Sequence, residues 1–257
     1  MKRVRGIFVT GTDTGVGKTV VACALAAWCR RQGLDVGVMK PVATGGRRLE
    51  GRWVSDDAVR LARAAGTDDP WTLVNPVCFR EPLAPWTAAL RRRAPIRVAR
   101  ILEAFQTLGK RHEFLVVEGV GGLLVPLTAR TTVADLAVRL RLPVLLVARP
   151  GLGTLNHTLL SLQCLRNKRL RLIGILMNQS EPPPAGAMSR LASRTNPEIL
   201  RRIARAPMLG RLPFQRAWGN GGLANARLDD WFARAADPQR LLRAAMKGTV
   251  DSAKRLW

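Results

Sequence analysis

Residues 11–19 read Gly11-Thr12-Asp13-Thr14-Gly15-Val16-Gly17-Lys18-Thr19, after a short apolar run from Gly6 to Thr10 and before a pattern that predicts a helix from Lys18 to Arg31. A glycine-rich turn between a strand and a helix constrains the chain strongly. Glycines let the backbone bend until successive N–H groups face one anion, and the helix start adds its partial positive charge there. In such a phosphate-binding loop Lys18 supplies a mobile cation for the β- and γ-phosphates of a nucleotide, and Thr19 a hydroxyl ligand for Mg²⁺. The spacing departs from G-x4-G-K-[ST], because position 12 is Thr and the first glycine is Gly11.

The rest of the chain repeats the alternation. Asp35–Met39, Phe114–Val117 (ending at Glu118), Pro143–Val147, Leu172–Met177 and Met208–Pro213 read as strands. Helical patterns run from near Ser55, over Ile96–Leu108, Val133–Leu140 and Leu155–Leu165, and over Leu191–Ala204 after a Pro182–Gly186 turn. Strands that are apolar throughout and separated by helices predict a parallel sheet covered on both faces. The fold class is therefore α/β: a doubly wound, mostly parallel sheet with helices on both faces, of the kind built by phosphate-loop nucleotide-binding proteins. Residues 1–214 are read as this domain, and 215–257 as a tail with short helices near Leu228–Ala235 and Gln239–Lys247.

Composition excludes several classes. A hydrophobic fraction of 47% and a mean hydropathy of +0.01 rule out a disordered or fibrous chain. No apolar run approaches the ~18–20 residues that cross a bilayer, and the basic start meets a glycine turn too soon for a signal peptide. The four cysteines, Cys23, Cys29, Cys78 and Cys164, form no C-x-x-C pair, which predicts a reduced, cytoplasmic setting. The net charge is +24, from 42 Lys+Arg against 18 Asp+Glu, yet lysine stands only at positions 2, 18, 40, 110, 168, 247 and 254. The excess is arginine dispersed along the chain without a nucleic-acid-binding motif, so it reads as solvated surface, and no nucleic acid or membrane partner is expected.

Two acids are candidates to complete a metal site, since nucleotide-bound Mg²⁺ takes one or two carboxylates. Glu118 closes the run Leu115-Val116-Val117 at the carboxyl end of a strand, where open α/β sheets bind ligands. Asp57 follows Ser55 and Asp56 in a first helical turn, where it also suits the helix dipole. Lys40, in Met39-Lys40-Pro41-Val42, is held extended by the following proline. It reads either as a snorkelling side chain or as a second cation for a phosphoryl group.

With GTDTGVGKT, MKPVATG, SDDA, VVEGVGG, PGLGTLNH and LMNQ in this order, the chain resembles the dethiobiotin synthetase family from about residue 5 to Pro213. The resemblance implies a homodimer that uses ATP, Mg²⁺ and CO₂ or bicarbonate to close the ureido ring of 7,8-diaminopelargonic acid, a small-molecule substrate. By motif it implies catalytic roles for Lys18, Lys40 and Thr14. It implies ATP contacts from Thr14, Gly15, Val16, Gly17, Lys18 and Thr19, with Asn178 and Pro213 at the base, and Mg²⁺ ligation by Thr19, Asp57 and Glu118. Substrate would meet Lys40, Thr44, Gly121 and Gly122, and its carboxylate the helix start Gly153, Thr154, Leu155 and Asn156 of a neighbouring subunit. A carboxylate suits the unpaired N–H groups of a helix start. No protein nucleophile is needed, so His112 and His157 are expected to be structural. Two departures bear on substrate fit: Val120 stands where the family has a small alanine, and Trp86 where it commonly has histidine.

Other classes are a ParA- or MinD-like partitioning ATPase and a cobyrinate-amidating relative. The first usually carries a further lysine where this chain has Thr12, and an Asp-x-Pro turn where it has Glu118-Gly119. The Lys40-Pro41-Val42 segment and small size favour the diamine over the larger substrate of the second.

Overall fold

Successive side chains of a strand face opposite sides of its sheet, so a run that is apolar throughout needs cover on both faces. A computed structural model, describing residues 4–183, 185–216 and 228–247, has this arrangement. Pro184 of the expected turn and much of the tail lie outside the described residues.

In chain order the elements begin with β1 (Gly6–Gly11), α1 (Lys18–Arg31), β2 (Val36–Met39), β3 (Val42–Ala43), β4 (Arg47–Leu49), β5 (Arg52–Val54) and α2 (Asp56–Ala65). Next come α3 (Trp71–Val74), β6 (Val77–Cys78), α4 (Pro85–Arg91), α5 (Val98–Arg111), β7 (Phe114–Gly122), β8 (Pro126–Thr128), β9 (Thr131–Thr132) and α6 (Val133–Leu140). The last are β10 (Val144–Ala148), α7 (Thr154–Asn167), β11 (Leu172–Asn178), α8 (Ala187–Ile203), β12 (Met208–Leu212), α9 (Leu228–Ala235) and α10 (Pro238–Met246).

Six strands form one parallel sheet in the order β12-β11-β10-β1-β7-β2. Ile7 and Val9 face a cluster shared with α1 and α2, whereas Phe8 faces the opposite cluster with α5 and α6. Leu228, Phe232, Leu241 and Ala245 of α9 and α10 are buried in the α1 cluster, so the described part of the tail packs onto the domain. Arg31 at the end of α1 pairs with Asp229 and Asp230 of α9.

The sheet order reverses around β1: the chain runs out to β2, returns to β7, then crosses to β10. A ligand crevice opens at such a switch, outside the carboxyl ends of the strands. β7 also runs four residues beyond Glu118, where a strand end was expected. Val9 faces Glu118 and Gly11 faces Gly122, so two steps along β1 match four along β7. Gly119, Gly121 and Gly122 lie within that irregular stretch, and glycine tolerates the extra curvature. Glu118 consequently sits inside a bulged strand and is fully buried. The helix α8 likewise starts earlier than expected and carries Pro197 within it.

His112, the C-cap of α5, is held between two carboxylates. Its Nδ1 lies 2.7 Å from Asp35 and its Nε2 2.6 Å from Asp69, tying the entry of β2 to the segment after α2. Burial disfavours the His112 charge, but the two carboxylates outweigh this and raise its pKa. Burial likewise opposes the Asp69 charge, and hydrogen bonds from Thr67, Arg111 and His112 outweigh it and lower that pKa. The His112 contribution is full below its ordinary value near 6.5 and disappears as pH rises through the raised folded value. The stability difference between the native chain and His112→Gln, from urea midpoints, should therefore be largest at about pH 5–6 and shrink toward alkaline pH. A pH-independent difference would contradict the clamp.

Candidate active site

The loop after β1 takes its shape from glycine. Gly15 and Gly17 adopt φ of 77° and 88°, in the left-handed region. Gly17 is also the N-cap of α1, which has no side-chain cap and no acid in its first turn. The first N–H groups of α1 are thus left for an anion. A Cβ at Gly17 would collide with the Asn178 amide, whose Nδ2 donates to the Val16 carbonyl at 2.9 Å. Asn178, at the end of β11, therefore braces the loop, and the Val16 side chain is buried in the core, leaving only its backbone for a ligand.

Beside the loop lies a buried knot of charge. Lys40 Nζ is 2.5 Å from Glu118 Oε1, 2.9 Å from Asp57 Oδ2 and 3.3 Å from the Gly119 carbonyl. Thr19 Oγ1 donates to the same Glu118 oxygen at 2.8 Å. Lys40 and Glu118 are 3% and 0% exposed, so neither charge is solvated. Burial works against the Lys40 charge, yet Glu118 and Asp57 outweigh it and raise its pKa, keeping the ammonium protonated. Burial pushes Lys18 down to about 8, with the Glu118 charge opposing and that of Lys40 adding. Lys18 Nζ donates to the Asp13 carbonyl at 2.8 Å, folded back over its own loop.

The other oxygen of Glu118, Oε2, is buried and has no hydrogen-bond partner among the described residues. A buried acceptor left unpaired costs about 1–3 kcal/mol. The Thr19 hydroxyl, on the first Glu118 oxygen, is also within hydrogen-bonding reach of Asp57. Two carboxylates and a hydroxyl are an all-oxygen donor set that suits a hard divalent cation, so these residues fit magnesium.

The knot is placed by a residue that the sequence reading missed. Asn75, fully buried, donates to the Lys40 carbonyl at 2.8 Å and accepts from the Ser55 backbone N–H at 3.0 Å. Ser55 in turn caps α2 by accepting from Ala58 N–H, which sets Asp57 in the first turn. One amide thus fixes Lys40 and Asp57 relative to each other. A lone Asn after a four-residue helix carries no sequence signal for this.

A cleft of about 730 Å³ gathers Thr14, Gly15, Gly17, Lys18, Thr19, Lys40, Thr44, Asp57, Glu118, Gly121 and Asn178. It is also lined by residues not anticipated, among them Arg60, Leu83, Gln179 and Phe214. Val120 is on its wall as expected, but Trp86 is not: Pro85, the first residue of α4, lines it in its place. Val16 and Gly122 do not line it, and Pro213 borders an adjoining cavity that shares Gln179 and Phe214. Gly153, Thr154, Leu155 and Asn156 also lie outside this chain's own cleft, at the start of α7, whose N-cap Gly153 offers no side-chain cap.

A glycine-bent loop ending in Lys-Thr after β1, with a buried acid on the adjacent strand, defines a phosphate-loop nucleotide-binding enzyme of the α/β class. The sequence family described as AAA domain matches residues 5–220. The ATP-dependent dethiobiotin synthetase BioD of Anaeromyxobacter dehalogenans (strain 2CP-C) is 47% identical over 82% of this chain and 91% of its own length. Those of Thermodesulfovibrio yellowstonii and Bacillus licheniformis are each 41% identical, over 81% and 82% of this chain and 88% and 86% of their own lengths. The chain belongs to the ATP-dependent dethiobiotin synthetase family. Among solved structures, a ParA family ATPase from Chlorobium tepidum aligns with a TM-score of 0.53 at 14% identity, covering 95% of this chain and 99% of its own. The septum site-determining protein MinD of Pyrococcus horikoshii, solved with Mg-ADP, aligns at 0.52 and 16%, covering 94% of each chain. At such identities the likeness shows the fold alone.

If Asn75 orders the knot, Asn75→Ala should lower stability in urea unfolding by about 1–3 kcal/mol, the cost of buried groups left unpaired. A change within experimental scatter would show that Lys40 and Asp57 are placed by other contacts.

Proposed function

We propose that this chain closes the ureido ring of 7,8-diaminopelargonic acid with CO₂ and ATP, giving dethiobiotin, ADP and phosphate, as a step of biotin biosynthesis. The convergence of Lys18, Thr19, Lys40, Asp57 and Glu118 in one cleft supports this reading within the family.

The chemistry needs no protein nucleophile. One substrate amine bonds to the carbon of CO₂ and loses a proton, forming a carbamate. A carbamate oxygen attacks the γ-phosphorus of ATP, and ADP leaves with the electron pair of the broken P–O bond. The second amine attacks the carbonyl carbon, loses a proton and expels phosphate. Each step joins anions or brings groups together, so positioning and charge neutralisation carry the catalysis.

Thr14, Gly15, Val16 and Gly17 surround the phosphates with backbone N–H groups, and Lys18 swings from Asp13 to the β- and γ-phosphates. Asn178 and Pro213 border the base, Asn178 also keeping the loop in shape. Thr19, Asp57 and Glu118 would hold Mg²⁺, which supplies charge neutralisation on the phosphates. Lys40 and Thr44 hold the carbamate and diamine, with Gly121 and Gly122 keeping the end of β7 free of side chains. Thr14 Oγ1 is about 3.5 Å from where a Gly121 Cβ would stand, so the loop and the β7 bulge close on the same space.

The enzyme works as a homodimer, with Gly153, Thr154, Leu155 and Asn156 offered to the cleft of the other subunit. Leu152, Leu159 and Leu160 on the outer side of this helix start are exposed, Leu152 by 84%, which supports its burial against a second copy. The unpaired cysteines support a reduced, cytoplasmic setting.

Purified protein given the diamine, bicarbonate and Mg·ATP should form dethiobiotin and ADP in equal amounts, with little ADP when the diamine is omitted. Lys18→Ala should lower turnover about a hundredfold or more. Lys40 is a poorer probe, because its removal strands a buried carboxylate at a cost of about 3–5 kcal/mol. Diamine-independent ATP hydrolysis stimulated by DNA would overturn the proposal in favour of a partitioning ATPase.

A further inference from the structure

Arg60 lies in the second turn of α2, three residues after Asp57, and lines the cleft together with Lys18, Thr19, Val20, Lys40 and Glu118. The spacing places it on the Asp57 face of the helix. Its charge acts on Asp57 and on Cys23 of α1, one turn on from Thr19. That is the Thr19 side of the phosphate loop, whereas Asn178 approaches the loop at Gly17.

The other two cations of this wall are already engaged. Lys18 is hydrogen-bonded to the Asp13 carbonyl and Lys40 is paired with both Asp57 and Glu118. The Asp57 ion pair is with Lys40, and among the described residues no hydrogen bond or ion pair engages Arg60. An arginine that is half-buried, borders this cleft and makes no hydrogen bond or ion pair with a carboxylate among the described residues is poised for an anion that arrives with the substrates. Its planar fork of donors matches two phosphate oxygens at once, which a lysine does not.

Resting on the function proposed above, we infer that Arg60 is a catalytic residue that binds the γ-phosphoryl group during its transfer to the carbamate. In that step the bond from the carbamate oxygen to γ-phosphorus forms while the bond from γ-phosphorus to the β–γ bridging oxygen breaks, its electron pair leaving on ADP. Negative charge spreads over the equatorial oxygens of the transferring group, and a guanidinium supplied from the same chain stabilises it there. Because ADP lacks that group, Arg60 adds little to ADP binding.

The test compares the native chain, Arg60→Ala, Arg60→Lys and Arg63→Ala, the last an exposed arginine one turn on. Turnover is measured with saturating diamine, bicarbonate and Mg·ATP, and affinities by calorimetry for Mg·ADP alone and for Mg·ADP with aluminium fluoride, a planar mimic of the transferring phosphoryl group. Arg60→Ala should lower kcat about a hundredfold and weaken the aluminium fluoride complex comparably. Mg·ADP affinity and Tm should stay unchanged, Arg60→Lys should recover part of the loss, and Arg63→Ala should behave as the native chain. Native-like kcat in Arg60→Ala, or a loss matched by weaker Mg·ADP binding or a lower Tm, would overturn the inference while leaving the proposed function standing. Absence of diamine-dependent turnover in the native chain would overturn that function, and the role of Arg60 with it.

Discussion

Everything at this site depends on the ion pair between Lys40 and Glu118. Taking two such charges out of water costs several kcal/mol per ion, recovered only when geometry and further hydrogen bonds are good. Here Glu118 Oε1 serves Lys40 and Thr19, and Lys40 also meets Asp57 and the Gly119 carbonyl. Hydrophobic residues could fill the same space more cheaply, so the arrangement is explained by chemistry: it holds charged groups ready next to a phosphate-binding loop. One carboxylate oxygen is left over, buried and without a hydrogen-bond partner among the described residues.

The backbone around the pair is shaped to present it. β7 bulges over its glycines so that Glu118 stays inside the sheet, while a side chain at Gly121 would stand about 3.5 Å from the Thr14 hydroxyl. Asn75 links Lys40 to the cap of α2 and hence to Asp57. Asn178 reaches from β11 to the Val16 carbonyl and holds the loop from the opposite side. Two strands, one helix and two buried amides thus converge on the cleft of about 730 Å³.

Much of this was legible beforehand. The phosphate loop, α1 from Lys18 to Arg31 and the capped start of α2 followed from glycine placement, apolar period and Ser55, because each is fixed by residues near one another in sequence. The bulge of β7 was not, since a register shift depends on the neighbouring strand. Asn75 was invisible because its partners Lys40 and Ser55 lie in two segments remote from it in sequence. Arg60 was hidden by composition: among so many arginines, only the fold distinguishes one that faces a cleft from those that face water. Lys40 was read as a snorkelling side chain or as a second cation for a phosphoryl group, and the structure adds that it is paired with the buried Glu118.

Under the proposed function, the unpartnered oxygen of Glu118 is a cation's place. Calorimetric titration of ADP into the native chain and into Glu118→Gln, each with and without Mg²⁺, tests this most directly. The native chain should bind ADP at least about tenfold more tightly with Mg²⁺ than without it, and Glu118→Gln should lose most of that gain while remaining folded. An undiminished Mg²⁺ effect in Glu118→Gln would contradict the account.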